Sequence, residues 1–234
     1  MSAPRLWGIV PAAGIGRRMG ADTPKQYLKL GDRTILEHTL AALDNTHVFA
    51  GIVVSIAHDD PYWPHLTPRL SCALFTAPGG SERAESVLNA LDTLREHASD
   101  EDWVLVHDAA RPCVRTQDIT ALIDVLEHDP VGGLLAIPLR DTMKQANAEQ
   151  RSVATVDRRL LWHALTPQMF RVGVLRSALR AAVAAGVIVT DDASAMEQAG
   201  FQPRLVEGHA DNLKITRPED LALAEFYLRQ HGRL

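Results

Sequence analysis

The start of the chain joins a short apolar segment to a glycine-rich turn, and this junction restricts the possible folds more than any other feature. Residues 6–10, LWGIV, have the length and residue types of a buried β-strand. The next ten residues, PAAGIGRRMG, contain three glycines, which permit positive φ angles and close approach of the backbone to a ligand. Backbone N–H groups in such a turn form a concave surface that favours anions. The sequence therefore predicts a strand that leads directly into an anion-binding turn.

Two familiar phosphate-binding motifs do not match this turn. A P-loop requires Gly-Lys-Ser/Thr, which does not occur in the chain. A dinucleotide fingerprint spaces its glycines as G-x-G-x-x-G, whereas the spacing here is G-x-G-x-x-x-G and Pro24 interrupts the segment. Arg17, Arg18 and Lys25 add fixed positive charges beside the turn. A polyphosphate site is the favoured interpretation, and a plain strand–helix connection with surface arginines is the alternative.

Apolar segments of strand length alternate with amphipathic helical patterns along most of the chain. Strands are predicted at 51–56, 72–76, 103–106, 133–138, 204–207 and 213–215, and helices at 82–95, from Thr116 as N-cap, at 178–185 and from Pro218. This alternation favours a Rossmann-like α/β fold, a mostly parallel sheet flanked by helices. A length of 234 residues is compatible with one domain spanning 1–234. Ligands of such sheets bind at the carboxyl ends of the strands.

Residues 139–161 interrupt the alternation. Two polar, β-prone segments surround Asn147-Ala148-Glu149, which predicts a hairpin arm that leaves the main body. Because an isolated two-stranded hairpin is marginally stable in water, the arm is expected to pack on a second subunit. Folding back onto its own domain is the alternative.

Charge and composition exclude several classes of protein. The net charge is −5 and no long run of either sign occurs, which argues against a dedicated nucleic-acid-binding protein. No apolar stretch approaches 18 residues and no signal-peptide pattern begins the chain, so no membrane association is expected. Cys72 and Cys113 lack metal-ligand spacing, and a reducing cytoplasm is the expected location.

Polar residues after the strand at 103–106 are the strongest candidates for chemistry. Asp108 stands at a strand end facing the glycine turn, which is how enzymes hold Mg²⁺ with few protein ligands and the phosphates of a substrate. Capping of the following turn is the alternative for Asp108, and local hydrogen bonding is the favoured role of His107. Lys214 could meet a phosphate or remain a surface lysine.

Two further turns are candidate ligand contacts. Gly79-Gly80-Ser81-Glu82-Arg83 opens a helix, and exposed backbone donors there could contact a base or a phosphate, with a simple helix cap as the alternative. Residues 190–194, TDDAS, are typical of a helix cap or a phosphate-contacting turn; a metal site on their paired aspartates is a weaker interpretation. A glycine turn with cations and one aspartate is most consistent with displacement at phosphorus.

Motifs over nearly the whole length resemble the 2-C-methyl-D-erythritol 4-phosphate cytidylyltransferase family. The matching segments are PAAGxGxRM at 11–19, PKQY at 24–27, VHDAARP at 106–112, RDTMK at 140–144, VDR at 156–158, LWHALTPQ at 161–168, TDxAS at 190–194 and DNxKxTRPED at 211–220. The glycine turn alone is shared with many sugar nucleotidyltransferases, but the combination is much narrower.

The resemblance implies a nucleotidyltransferase fold and attack of methylerythritol phosphate on the α-phosphorus of CTP, with pyrophosphate released. The implied catalytic residues are Arg18, Lys25, Arg158 and Lys214. The implied CTP contacts are Pro11, Ala12, Ala13, Gly14, Gly16, Lys25, Gly80, Ser81, Arg83, Ser86 and Ala109. The implied contacts of the second substrate are Asp108, Arg111, Thr142, Arg158, Thr166, Thr190 and Lys214.

The resemblance also implies Mg²⁺ on Asp108 and a homodimer in which the arm at 139–161 brings Thr142 and Arg158 into the partner's site. One departure concerns Ser81, since the family commonly has an acidic residue there that can accept from the cytosine amino group. Selection of cytosine over uracil is therefore less firmly implied than the reaction. Alternatives are transfer to another polyol phosphate, such as ribitol phosphate, and a nucleotide-binding regulatory protein without turnover.

Overall fold

A computed structural model describes residues 3–14, 23–66 and 68–234. The strands, in chain order, are β1 (Leu6–Pro11), β2 (Lys29–Leu30), β3 (Arg33–Thr34), β4 (Phe49–Ile56), β5 (Ala73–Pro78), β6 (Trp103–Val106), β7 (Gly132–Pro138), β8 (Met143–Ala146), β9 (Ser152–Val156), β10 (Trp162–Arg171) and β11 (Arg204–Glu207). The α-helices are α1 (Ile35–Asp44), α2 (Arg83–Thr93), α3 (Thr116–Leu126), α4 (Val172–Ala184), α5 (Asp192–Gln198) and α6 (Glu219–Gln230).

Seven of these strands form one sheet in the order β11-β7-β10-β6-β1-β4-β5. The β6–β1, β1–β4, β4–β5 and β11–β7 pairs are parallel, whereas β10 runs antiparallel to both β6 and β7. This confirms the mostly parallel sheet, and the predicted strands are each present to within two residues except the one at 213–215. The antiparallel β10 and helix α1 were not among the predicted elements.

The strands bury side chains on both faces of the sheet. Along β6, Trp103 and Leu105 belong to one core cluster and Val104 and Val106 to the other, as the two-residue period of a strand requires. Helices α1 and α3 supply apolar side chains to the first cluster, and α2, α4 and α5 to the second. Burial on both faces explains the continuous apolar segments of the sequence.

Two local predictions need correction. Residues 213–215 form no strand; the segment is held by single contacts, including the Ile215 N–H, which donates to the Ala110 carbonyl at 2.9 Å. Helix α3 is capped by Arg115 with no side-chain hydrogen bond, and Thr116 is its first helical residue. The Thr116 hydroxyl therefore does not cap the helix, which begins one residue earlier than predicted.

The hairpin predicted within 139–161 is present as a separate two-stranded sheet. Strands β8 and β9 pair antiparallel only with each other. Every residue from 140 to 160 is exposed in the single chain. Several of the exposed side chains are apolar, among them Val153 at 57% and Leu160 at 88% exposure. The hairpin thus lacks a packing partner among the described residues of its own chain.

No helix in the described ranges combines the length and the apolar character needed to cross a bilayer.

Candidate active site

A cleft of about 690 Å³ lies at the carboxyl ends of the parallel strands β1, β5 and β6. Its walls come from five separate parts of the chain: the turn after β1, the residues around Lys25, the start of α2, the segment after β6 and the segment before α6. The lining residues are Pro11, Ala12, Ala13, Gly14, Lys25, Gln26, Gly80, Ser81, Glu82, Arg83, Ser86, Asp108, Ala109, Ala110 and Lys214. This is the edge at which open α/β sheets bind ligands.

The turn after β1 presents backbone donors to the cleft. Gln26 is buried, and its amide nitrogen donates to the carbonyl oxygens of Ala12 and Gly14, which holds both carbonyls away from a ligand. No described residue accepts from the N–H groups of Ala13 or Gly14. Two adjacent N–H groups beside a cation match the needs of a phosphate oxygen.

Lys25 is one of the residues that line the cleft. It begins a short 3₁₀ helix, Lys25–Tyr27, and its Nζ donates to the Ile215 carbonyl at 2.8 Å. Lys25 thus contacts the residue that directly follows Lys214. Both lysines line the cleft, although they lie near opposite ends of the sequence.

The second glycine turn differs from the first, because its backbone donors are already used. The N–H of Gly79 donates to the Ile56 carbonyl at 2.7 Å. The N–H of Gly80 donates to Ser86 Oγ at 3.0 Å, and that of Ser81 to Glu85 Oε2 at 2.7 Å. The N–H groups of Gly79, Gly80 and Ser81 are therefore not exposed donors as expected, since the Ile56 carbonyl and the side chains of Ser86 and Glu85 accept from them.

Asp108 is the centre of a charge cluster. Its Oδ1 lies 3.0 Å from Arg83 Nε, and its Oδ2 lies 2.8 Å from Lys214 Nζ and 3.6 Å from Arg111 Nε. Burial alone would raise the pKa of the Asp108 carboxyl, but Arg83, Lys214 and Arg111 together lower it well below its ordinary value. Asp108 is therefore ionised at neutral pH, as a metal ligand must be.

Arg83 is shared between two carboxylates. Its Nη2 lies 2.8 Å from Oδ2 of Asp192, which is fully buried at the first position of α5. The neighbouring Asp191 is the N-cap of α5 and forms a capping box with Ser194. The capping interpretation of residues 190–194 is thus confirmed for Asp191, whereas Asp192 fixes the guanidinium of Arg83.

His107 has a structural role, as its sequence context favoured. Its Nε2 lies 3.0 Å from the Arg111 carbonyl and therefore carries the proton. Thr166 donates its hydroxyl proton to His107 Nδ1 at 2.9 Å and accepts from the Asp108 N–H at 3.1 Å. Burial lowers the pKa of His107 to about 4. The imidazole is neutral and locks the backbone that carries Asp108.

A recess of about 260 Å³ adjoins the cleft and shares Arg83, Asp108 and Lys214 with it. Arg111 and Thr190 are among its other lining residues. Arg111 Nη1 donates to the Asn212 carbonyl at 2.7 Å, while its buried Nε makes no hydrogen bond within the described chain. A buried guanidinium N–H that has an ion pair with Asp108 but no hydrogen bond favours an additional anionic acceptor.

The segment that carries Lys214 is pinned at several points. Asp211 forms an ion pair with Arg115, and the Asn212 side-chain amide donates to the Thr166 carbonyl at 2.7 Å. Apolar contacts add to this, because Ile215 is buried in a third cluster together with α6. These contacts orient Lys214 without a strand.

Comparison with known proteins agrees with this geometry. The family model of 2-C-methyl-D-erythritol 4-phosphate cytidylyltransferase matches residues 6–230. Curated relatives of that name include one from Pseudomonas entomophila, 58% identical over 93% of both chains, and one from Ectopseudomonas mendocina, 57% identical over 97% of this chain and 95% of the relative. The chain belongs to this family. It is accordingly a cytidylyltransferase, as its motifs implied.

Solved structures of the cytidylyltransferase family share the fold. A crystal structure of 4-diphosphocytidyl-2C-methyl-D-erythritol synthase is 36% identical with a TM-score of 0.84, covering 97% of this chain and 100% of that one. The Francisella tularensis 2-C-methyl-D-erythritol 4-phosphate cytidylyltransferase is 38% identical with a TM-score of 0.82, covering 96% and 100% of the two chains. The fold class is therefore confirmed.

Most of the predicted site residues meet in the cleft and the recess of this cytidylyltransferase. The cleft contains Pro11, Ala12, Ala13, Gly14, Lys25, Gly80, Ser81, Arg83, Ser86, Asp108, Ala109 and Lys214, and the recess adds Arg111, Thr166 and Thr190. Gly16 and Arg18 lie outside the described residues. Thr142 and Arg158 lie on the exposed hairpin and line neither cavity. Their functional roles remain predictions.

Sequence reasoning did not single out Gln26, Glu85 and Asn212, and it considered Asp192 only as part of a capping, phosphate-contacting or metal-binding turn, although all four shape the site. Gln26 lies in the PKQY motif and Asn212 in the DNxKxTRPED motif. Their position in these motifs is the sequence signal that could have identified them. The functions of Glu85 and Asp192 depend on partners brought together by folding.

The contacts of Thr166 predict a test of its structural role. Thr166→Val removes the acceptor of the Asp108 N–H and the donor to His107, so the free energy of unfolding should fall by about 1–3 kcal/mol. Urea denaturation measures the loss, and Thr166→Ser, which keeps the hydroxyl, is the matched control. A Val variant as stable as the wild type would contradict the assignment.

Proposed function

We infer that this cytidylyltransferase joins CTP and 2-C-methyl-D-erythritol 4-phosphate to give 4-diphosphocytidyl-2-C-methyl-D-erythritol and pyrophosphate. An oxygen of the methylerythritol phosphate attacks the α-phosphorus of CTP, a new P–O bond forms, and the bond to the β-phosphate bridging oxygen breaks. The charge cluster around Asp108, between the nucleotide cleft and the anion recess, is the observation that carries this proposal.

The first glycine turn is the proposed site of the CTP phosphates. The N–H groups of Ala13 and Gly14 point to no described acceptor, and Lys25 stands beside them. Lys25 and Arg18 would neutralise the charge that grows on the α-phosphate and the leaving pyrophosphate. Fixed charges that meet developing charge in a shielded site are among the largest catalytic contributions.

The recess is the proposed site of the second substrate. Arg111 offers a buried N–H, and Lys214 stands on the border between recess and cleft. A phosphate monoester held by both would face the α-phosphorus of the bound nucleotide. Holding two reactants in this way replaces a bimolecular encounter by a positioned reaction.

Asp108 is the residue that we propose to hold Mg²⁺. No group of three or more His, Cys, Asp or Glu side chains converges as a metal site in the described part of the chain. A single ionised carboxylate still fits Mg²⁺, which keeps several waters and takes ligands from substrate phosphates. The bound ion would supply charge neutralisation on those phosphates. Lys214 would then exchange its contact with Asp108 Oδ2 for a contact with the substrate phosphate.

Pyrophosphate release from CTP plus methylerythritol phosphate tests the reaction. We expect release that requires both substrates and is abolished by EDTA, and a much higher kcat/KM than with ribitol phosphate as acceptor. A higher kcat/KM for ribitol phosphate would assign another polyol substrate. CTP binding without any product would instead indicate a regulatory protein.

Lys25→Ala should lower kcat about 100-fold or more and change the KM for CTP much less, because Lys25 would act on charge that develops during the reaction. Steady-state kinetics measures both constants. Lys29→Ala, a change of an exposed lysine on β2, is the matched control. An effect confined to KM would show that Lys25 binds only the ground state.

The hairpin is the basis for a proposed homodimer. Apolar side chains such as Val153 and Leu160 are exposed on it, and Thr142 and Arg158 lie away from the cleft of their own chain. A second copy would cover the apolar surface and receive these two polar residues. A two-fold symmetric dimer would complete both sites at once.

Mixing two inactive variants tests this arrangement. Arg158→Ala leaves Lys25 intact, and Lys25→Ala leaves Arg158 intact, so a mixed dimer with exchanged arms contains one complete site. Co-expression of the two should restore about a quarter of wild-type activity for random pairing of symmetric protomers. Activity no higher than that of the separate variants would place each arm in its own site.

We further propose that the enzyme works in the cytoplasm. Cys72 and Cys113 are free thiols, which suits a reducing compartment.

A further inference from the structure

A separate cavity of about 540 Å³ is bounded by the β2–β3 turn, helix α1 and the C-terminal end of α6. None of its lining residues lines the cleft or the recess of the candidate active site. The cavity therefore takes no part in the contacts proposed above for CTP, for the second substrate or for Mg²⁺. Its volume lies in the range of cavities that hold small molecules.

The side chains that line this cavity carry an excess of positive charge. Arg33, Arg229 and Arg233 face two carboxylates, those of Asp32 and Glu225. Glu225 forms an ion pair with Arg229 one helical turn along α6, so both charges of that pair are already balanced. In the part of the chain that the structure describes, no carboxylate lies within ion-pair distance of Arg33 or Arg233. Two cations of the cavity thus lack a counter-ion.

Arg233 is held in place by neutral groups. Its Nη1 donates to the Val114 carbonyl at 3.1 Å, and its Nη2 donates to the His38 carbonyl at 2.8 Å. These bonds fix the direction of the guanidinium and leave its charge unbalanced. Partial burial and the like charge of Arg33 lower the pKa of Arg233, which shows that the two arginines repel each other. An anion bound to both would remove this repulsion.

His38 adds a neutral acceptor to the same cavity. The side chain is 2% exposed, and its Nε2 lies 2.8 Å from the Leu30 carbonyl and therefore carries the proton. Nδ1 keeps a lone pair and makes no hydrogen bond to any described residue. Burial, with the charges of Arg233 and Arg33, lowers the pKa of His38, so the ring is neutral at pH 7. A ligand that donates a hydrogen bond would satisfy this buried nitrogen.

We propose that this cavity is a binding site for a small molecule that carries both a phosphate or carboxylate group and a hydroxyl group. The anionic group accepts hydrogen bonds from Arg33 and Arg233, and the hydroxyl donates to His38 Nδ1. Guanidinium groups suit this role because their planar array of N–H donors matches the oxygens of phosphate and carboxylate. The site is independent of the chemistry around Asp108, so its test does not depend on the proposed function.

Titration with sn-glycerol 3-phosphate tests the site, because this compound combines a phosphate group with hydroxyl groups. The measurement is NMR of the enzyme with ¹³C-labelled histidine, in which the His38 resonance is assigned by its loss from the spectrum of His38→Gln. We expect a saturable change of the His38 resonance. Sulfate, an anion without a hydroxyl group, should bind more weakly, and glycerol, which has no charge, should cause no change at the same concentrations.

Arg33→Gln removes one of the two unbalanced cations. The Arg33 side chain is exposed and makes no hydrogen bond or ion pair within the described chain, so the fold should tolerate the change. We expect the affinity for sn-glycerol 3-phosphate, read at His38, to fall about ten-fold, the effect of losing one hydrogen bond between charged groups. Arg69→Gln, a change of an exposed arginine that lines no described cavity, is the matched control and should leave the affinity unaltered.

Lys214→Ala separates this cavity from the catalytic recess, which is also expected to attract a polyol phosphate. The titration of His38 should be the same in this variant as in the wild type. A response of His38 that disappears in Lys214→Ala would place the ligand in the recess and overturn the proposal. Absence of any response at His38, or an unaltered affinity in Arg33→Gln, would overturn it as well. Sulfate binding as tight as that of sn-glycerol 3-phosphate would contradict the hydroxyl contact with His38.

Discussion

The ionised carboxylate of Asp108 is the constraint on which the rest of the site depends. A buried charge is stable only when opposite charges and hydrogen bonds replace the water that it loses. Arg83, Arg111 and Lys214 provide that replacement, and they come from α2, from the segment after β6 and from the segment before α6. One carboxylate thus joins distant parts of the chain into a single wall. The same cations line the cleft or the recess beside it.

The need to orient these cations explains much of the surrounding polar network. Arg83 is held from its other side by the buried Asp192, and Arg111 by the Asn212 carbonyl. Thr166 connects the backbone of Asp108 to a neutral His107. Each bond uses a group that would otherwise be buried without a partner, so stability and positioning are served by the same contacts.

The two glycine turns show how similar composition leads to different chemistry. After β1, Gln26 binds carbonyl oxygens and leaves the N–H groups of Ala13 and Gly14 for a ligand. Before α2, Ser86 and Glu85 bind the N–H groups of Gly80 and Ser81 and leave acceptors. The two turns on the cleft therefore differ in the backbone groups that they leave available, because side chains satisfy carbonyl oxygens in the first and N–H groups in the second.

The sequence by itself determined the class of fold and the family, and it singled out Asp108 and Lys214, which line the cleft, because these inferences depend on local patterns and on motifs of fixed spacing. Only the tertiary structure decided that β10 runs antiparallel, and that Asp191 caps α5 while Asp192 pairs with Arg83. It also decided that the N–H groups of residues 79–81 donate within the protein. The physical reason is that strand pairing and charge pairing join residues far apart in the chain, such as Arg83 and Asp192. Even the contact between Glu85 and Ser81, only four residues apart, forms only after the start of α2 fixes the direction of the Glu85 carboxylate.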